Sequence, residues 1–271
     1  MRLCPAPADR GIVFRRTDRG NAEIAASWRN VADVPMCTAL QNADGIRVAT
    51  VEHLLAALAG CGIDNAVVEI DGPELPVMDG SAAPFVFLID CAGVLPQDSP
   101  RTAIQVLEPI EIADENRSAR LLPGDGFSVS VEIDYPFPPI HCQRFCAPMD
   151  RFRAEIARAR TYGFLNEVES LHAAGLARGA SLDNAVVLDG ERVINEDGLR
   201  YPDEFVRHKA LDAIGDLYLA GAPLIGRFEG VRSGHRMNHR LLAALFSRPQ
   251  AWRMEPVDGE AETAAPPAPG R

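Results

Sequence analysis

The stretch His208 to Leu217, HKALDAIGDL, gathers a histidine, a lysine and two aspartates within nine positions of an otherwise apolar run. In a helix, a turn of about 100° per residue places His208, Asp212 and Asp216 within a sector of roughly 80°. An imidazole and a carboxylate at i, i+4 can both turn a donor atom toward one cation. A third ligand from elsewhere would then give the three-ligand, open-position geometry of hydrolytic zinc sites. His53, within VEHLLAALAG, is the candidate for that third ligand. Its neighbour Glu52 projects about 100° around the same helix, so its carboxylate can sit beside an ion without binding it, where a general base belongs.

Two further clusters carry chemistry: SGHRMNH supplies His235 and His239, and the turn ARTYGF supplies Thr161. Plainer readings stand beside each of these. A histidine on an Ala/Leu helix is more often a hydrogen-bonded core residue than a ligand, and His208 with Asp212 also reads as a simple ion pair worth a few tenths of a kcal/mol. HCQRFC offers a competing set in His141, Cys142 and Cys146. In an extended segment, however, the two cysteines lie about 13 Å apart, too far to share one ion unless a turn intervenes. His172 reads as a surface residue, and His239 as packing or capping. The chain contains no GxGxxG, Walker-type loop or GxSxG elbow, which weighs against nucleotide-fold, phosphoryl-transfer and serine-hydrolase readings.

The elements that must position these residues follow from pattern. With 271 residues, 47% of them hydrophobic, the chain can bury a sizeable core. Its net charge of -11 gives no reason to expect nucleic acid or an anionic membrane surface as partner. No apolar run approaches the roughly 20 residues needed to span a bilayer. The six cysteines lack a paired CxxC framework and no signal-peptide segment opens the chain, so reduced thiols in a cytoplasm are expected.

Short strands GIVFRR, AEIAAS, CTALQ and GIRVAT lead into the helix VEHLLAALAG, with Thr50 placed to cap it and Gly60 to end it. The strand NAVVEI and a helix from Ser81 complete a first unit, residues 1–98, before the Pro-containing stretch LPQDSPRT. A second unit, residues 99–250, carries the strands AIQVL, SARLLP and FSVSVEID and a helix after Asp150. It ends with the long helix from about Asp203 to Gly221, the strand LIGRFEGVRSG and the helix MNHRLLAALF. Runs of strands followed by helices predict an α+β fold of two layered sheet-and-helix domains. Residues 251–271, rich in Ala, Pro and acid, are expected to be disordered.

Taken together, TVEHLLAALAGCGIDN, MDGSAAPF, ARTYGF, SLDNAVV, FVRHKALDAIGDL and SGHRMNH closely resemble the UDP-3-O-acyl-N-acetylglucosamine deacetylases of Gram-negative lipid A synthesis. The likeness runs from about Leu3 to Leu245. It implies two similar α+β domains with the active site between them. It also implies His53, His208 and Asp212 as zinc ligands, Glu52 as general base, His235 as general acid and Asp216 as the carboxylate that holds this histidine. Lys209 and Thr161 match residues that contact the attacking water or the developing oxyanion.

The implied reaction is zinc-dependent hydrolysis of the acetamide of UDP-3-O-[(R)-3-hydroxyacyl]-N-acetylglucosamine to the free amine and acetate, in a cytoplasmic monomer. Iron(II) is the alternative ion for such a donor set. The acyl chain is expected in a passage formed near LNEVESLHAAGLARGASLDNAVVL, with Leu165, Val168, Leu171, Leu176 and Leu182 as candidate lining. The resemblance further implies a strand and a GxGLHSG-like loop ahead of RLCPAPADRGIVFRR, so either the start codon is misplaced or the first sheet lacks an edge strand. An impaired homologue that only binds acyl-sugar nucleotide or zinc is therefore the competing expectation.

Overall fold

VEHLLAALAG is apolar on nearly every side, a pattern that requires burial on every side. In the computed structural model, which describes residues 1–136, 140–167 and 179–257, that helix runs through the middle of the molecule. The chain begins with β1 (Arg2–Pro5), β2 (Ile12–Arg16), β3 (Ala22–Ala25), β4 (Val31–Ala32), β5 (Ala39–Gln41) and β6 (Arg47–Ala49). It continues through α1 (Glu52–Gly60), β7 (Ala66–Ile70) and α2 (Ala83–Ala92). After residues 93–101, without regular structure, come β8 (Thr102–Val106), β9 (Ile110–Asp114), β10 (Arg117–Leu122), β11 (Phe127–Ile133) and β12 (Gln143–Pro148). The remaining elements are β13 (Tyr162–Phe164), β14 (Val186–Asp189), β15 (Arg192–Val193), α3 (Glu204–Tyr218), β16 (Leu224–Val231), α4 (His235–Phe246) and β17 (Trp252–Pro256).

The α+β expectation holds. The first sheet has the order β1-β7-β2-β3, with β7 and β2 parallel and β1 at an edge, antiparallel to β7. A small antiparallel sheet, β4-β5-β6, leads into α1. The larger sheet runs β12-β11-β16-β10-β9, extended by β8 on β16 and by β17 on β8. Burial alternates along β10, β11 and β16, so one face of this sheet is packed. Helix α3 covers that face at β11 and β12, while α4 covers it at β9 and β10. Buried side chains of the two large sheets form one hydrophobic core, continuous through α1 and α3.

Three local expectations change. Thr50 does not cap α1: it takes a left-handed φ of 58° and its hydroxyl donates to Glu74 at 2.7 Å, leaving Val51 at the cap without a side-chain bond. The helix expected after Asp150 is a 3-10 turn, Met149–Arg151, followed by a π turn, Phe152–Ile156. The disorder expected from residue 251 is not found over Trp252–Pro256, which pairs with β8 and adds a strand to the sheet. Residues 258–271 lie outside the described residues, as do Val168, Leu171, His172 and Leu176. Leu165 and Leu182 are exposed.

Candidate active site

Helices α1 and α3 are held together by the absence of a side chain. A Cβ on Gly215 would stand 2.0 Å from the Glu52 carbonyl oxygen, so only glycine lets the two backbones approach this closely. The crossing buries Glu52 and His53 from α1 with His208, Asp212 and Asp216 from α3. Burying so many ionisable groups is costly unless each finds a partner or a metal.

Among the described residues, one group of three or more candidate ligands could hold a metal ion: His53, His208 and Asp212. The Nε2 atoms of His208 and His53 lie 3.3 and 3.7 Å from Asp212 Oδ1, an oxygen that is buried and accepts no hydrogen bond. The two imidazoles meet edge to face, with centroids 5.0 Å apart. His208 Nδ1 donates to the Ala159 carbonyl at 3.0 Å, which leaves the Nε2 lone pair free. Burial pushes the His208 pKa down to about 3, so its imidazole is neutral, as ligation requires. The His208 and His53 imidazoles around an orphaned carboxylate oxygen fit a divalent metal.

The other Asp212 oxygen accepts from Lys209 Nζ at 2.8 Å, and the ammonium also lies 5.5 Å from the Tyr162 ring centroid. Burial opposes ionisation of Asp212, but the His208 side chain and the Lys209 ammonium hold it well below the usual carboxylate range. Glu52 moves the opposite way: burial raises its pKa, despite the partial offset from His235 and His53. A buried carboxylate raised in this way is a stronger proton acceptor than an exposed one.

One turn further along α3, Asp216 faces α4. Its Oδ2 accepts from His235 Nδ1 and Asn238 Nδ2, each at 2.9 Å. Its Oδ1 accepts from the Thr38 hydroxyl, with His239 Nε2 3.4 Å away. Burial alone would lower the His235 pKa; the Asp216 charge outweighs it and raises the value to about 10. His235 is therefore an imidazolium at neutral pH, and its Nε2 lies 3.9 Å from Asp212 Oδ2.

Thr161 arrives on the segment leading into β13. Its N–H donates to the Gly80 carbonyl at 2.8 Å, and its own carbonyl accepts from Val186. Gly80 has φ 82°, and a Cβ there would lie 2.0 Å from the Asn184 carbonyl oxygen, so the MDGS turn can dock only as glycine. The preceding residue, Arg160, is buried and grips Glu204 at the start of α3 through Nε and Nη2, at 2.9 and 3.1 Å. That ion pair ties the segment bearing Ala159 and Thr161 to the helix bearing His208. In contrast, Cys142 and Cys146 are exposed beside or on β12, and all six cysteines are free thiols.

The motifs that pointed to this constellation extend across most of the chain. Residues 1–247 match the family model described as LpxC: UDP-3-O-acyl N-acetylglycosamine deacetylase. A Phenylobacterium zucineum protein named UDP-3-O-acyl-N-acetylglucosamine deacetylase is 54% identical over 92% of this chain and 87% of its own length. Proteins of the same name from Saccharophagus degradans and Teredinibacter turnerae are 50% and 49% identical, over 94% and 97% of this chain and 85% and 88% of theirs. With its fold, its buried His-His-Asp group and 247 matched residues in agreement, the chain belongs to the UDP-3-O-acyl N-acetylglycosamine deacetylase family.

Proposed function

We propose that the chain is a metal-dependent amidohydrolase that removes acetate from UDP-3-O-acyl-N-acetylglucosamine, leaving a free glucosamine amine for lipid A synthesis. The observation that carries this reading is the orphaned Asp212 Oδ1 facing two imidazole Nε2 atoms, with a carboxylate of raised pKa and an imidazolium alongside. His53, His208 and Asp212 would hold the ion. Zinc suits two nitrogens and one oxygen with an open position, and iron(II) is the alternative. When bound, such an ion polarises the amide carbonyl and acidifies a water molecule.

The chain's own residues divide the proton work. Glu52 accepts a proton as water adds to the acetamide carbon. Lys209 and Thr161 would stabilise the negative charge that develops on the carbonyl oxygen, and the protonated His235 would add positive charge. As the carbon–nitrogen bond breaks, His235 Nε2–H protonates the departing amine, while Asp216 keeps hold of Nδ1–H. The products are acetate and the amine. In this reading residues 1–98 and 99–250 are two units that close around the site, and the acyl chain lies near residues 165–188. The protein is taken to be a cytoplasmic monomer.

The test is acetate release by the purified chain with one equivalent of zinc. Wild type is expected to turn over, and Glu52→Ala to keep its metal while losing turnover by about 100-fold or more. Normal turnover in Glu52→Ala would overturn the mechanism.

A further inference from the structure

Thr38, at the entry to β5, is fully buried and touches both sides of the site. Its N–H donates to Glu52 Oε2 at 3.1 Å, and its hydroxyl is bonded to Asp216 Oδ1. Around that hydroxyl lie His239 Nε2 at 3.2 Å and His235 Nδ1 at 3.3 Å.

Counting donors fixes the direction of each bond. His235 Nδ1 carries its proton toward Asp216 Oδ2, and His239 Nε2 faces only a carboxylate oxygen and a hydroxyl. A hydroxyl has one proton and two lone pairs, so Thr38 donates to Asp216 and accepts from His239. Asp216 then receives two donors on Oδ2, from His235 and Asn238, and one on Oδ1, from Thr38, with His239 Nε2 3.4 Å from the same oxygen. Held on both oxygens, the carboxylate cannot rotate, and His235 Nε2 stays aimed at the metal-facing side of α3. Without the Thr38 hydroxyl, Oδ1 would keep only the 3.4 Å contact with His239.

Resting on the acid–base reading above, we propose that Thr38 is a positioning residue that sets the spacing between the proton acceptor, Glu52, and the carboxylate that orients the proton donor, Asp216. Its backbone holds one and its side chain the other. Its bonds go to Glu52 and Asp216 and not to His53, His208 or Asp212, so its removal acts on the rate of the chemical step.

Thr38→Val keeps the shape and deletes the hydroxyl, and Thr38→Ser restores it. Thr38→Ala replaces the valine variant should the latter not fold. In zinc-loaded protein, the valine or alanine variant is expected to keep one equivalent of metal and a KM within about twofold of wild type. Its kcat is expected to fall about 10- to 100-fold, the scale of an ångström-level misplacement. Thr38→Ser is expected to recover most of that loss. A kcat within twofold of wild type in the hydroxyl-free variant overturns the proposal, as does a serine variant as slow as valine or alanine. Glu52→Ala run in parallel separates the two levels. Slow turnover there with normal turnover in Thr38→Val removes only the role of Thr38, whereas normal turnover in Glu52→Ala removes the acid–base reading beneath it.

Discussion

Asp212 and Asp216 stand one helical turn apart on α3, both buried, and their surroundings are opposite in kind. Asp212 presents an oxygen with no hydrogen-bond donor toward two imidazole lone pairs. Asp216 accepts hydrogen bonds from His235, Asn238 and Thr38, with His239 Nε2 3.4 Å away. The first arrangement is incomplete without a cation. The second is complete within the chain and uses its charge to keep His235 protonated. A single helix thus carries one carboxylate whose surroundings fit a metal and, one turn on, another that holds an imidazolium, and the i, i+4 spacing keeps the two adjacent.

Breaking the frame of the metal end should have the largest effect. Glu204→Ala leaves the Arg160 guanidinium buried beside an empty partner position and frees the segment whose Ala159 carbonyl orients His208. Loss of one partner from a buried ion pair costs about 3–5 kcal/mol, to be read from denaturant unfolding. Zinc affinity is expected to fall with it. The Asp216 end, held by α4 and Thr38, is expected to keep its imidazole resonances in folded protein.

Disturbing both ends at once should cost less. Gly215→Ala places a methyl group against the Glu52 carbonyl, so α1 and α3 must separate. About 1–3 kcal/mol of stability should be lost, as for other overpacked cores, with reduced turnover in the protein that remains folded.

The smallest effect sharpens the donor-rich end alone. In metal-free protein, nuclear magnetic resonance titration of His235 is expected to give a pKa near 10, and Asp216→Asn to lower it markedly, because burial then acts with less opposition. The sign for stability follows from linkage. The folded value lies above the ordinary 6.5, so the stabilisation is fully present below pH 6.5 and disappears as pH rises through about 10. The advantage of wild type over Asp216→Asn should shrink across that window.

Much of this site was legible before any coordinates. His208 and Asp212 share a helical face by arithmetic, and the Glu52-His53 pair offers a ligand with a carboxylate beside it. The family resemblance suggested roles for His235, Asp216, Lys209 and Thr161, and of these His235 and Asp216 are found bonded to each other. Other parts carry no local signature. Thr38 is an ordinary threonine at the start of a three-residue strand, and its importance comes from Asp216, 178 positions away. Gly215 reads as a weak point in a helix, although the close approach of another backbone requires it. His239, read as packing or capping, contacts Asp216 because it lies one turn beyond His235 on α4. The Thr50 cap failed for a conformational reason, since a left-handed φ turns the hydroxyl to Glu74 instead of the helix end. The late strand Trp252–Pro256 was hidden in a stretch judged by composition, while its partner β8 offered an edge to pair with.

Equilibrium dialysis of zinc against wild type, Asp212→Asn and Asp216→Asn tests most directly whether the cation belongs to one end of α3 alone. Wild type and Asp216→Asn are expected to bind one equivalent with similar affinity. Asp212→Asn should weaken binding by more than the roughly 10- to 100-fold typical of losing a ligand's own hydrogen-bond partner. Equal binding by the two variants, or a loss confined to Asp216→Asn, would contradict the account.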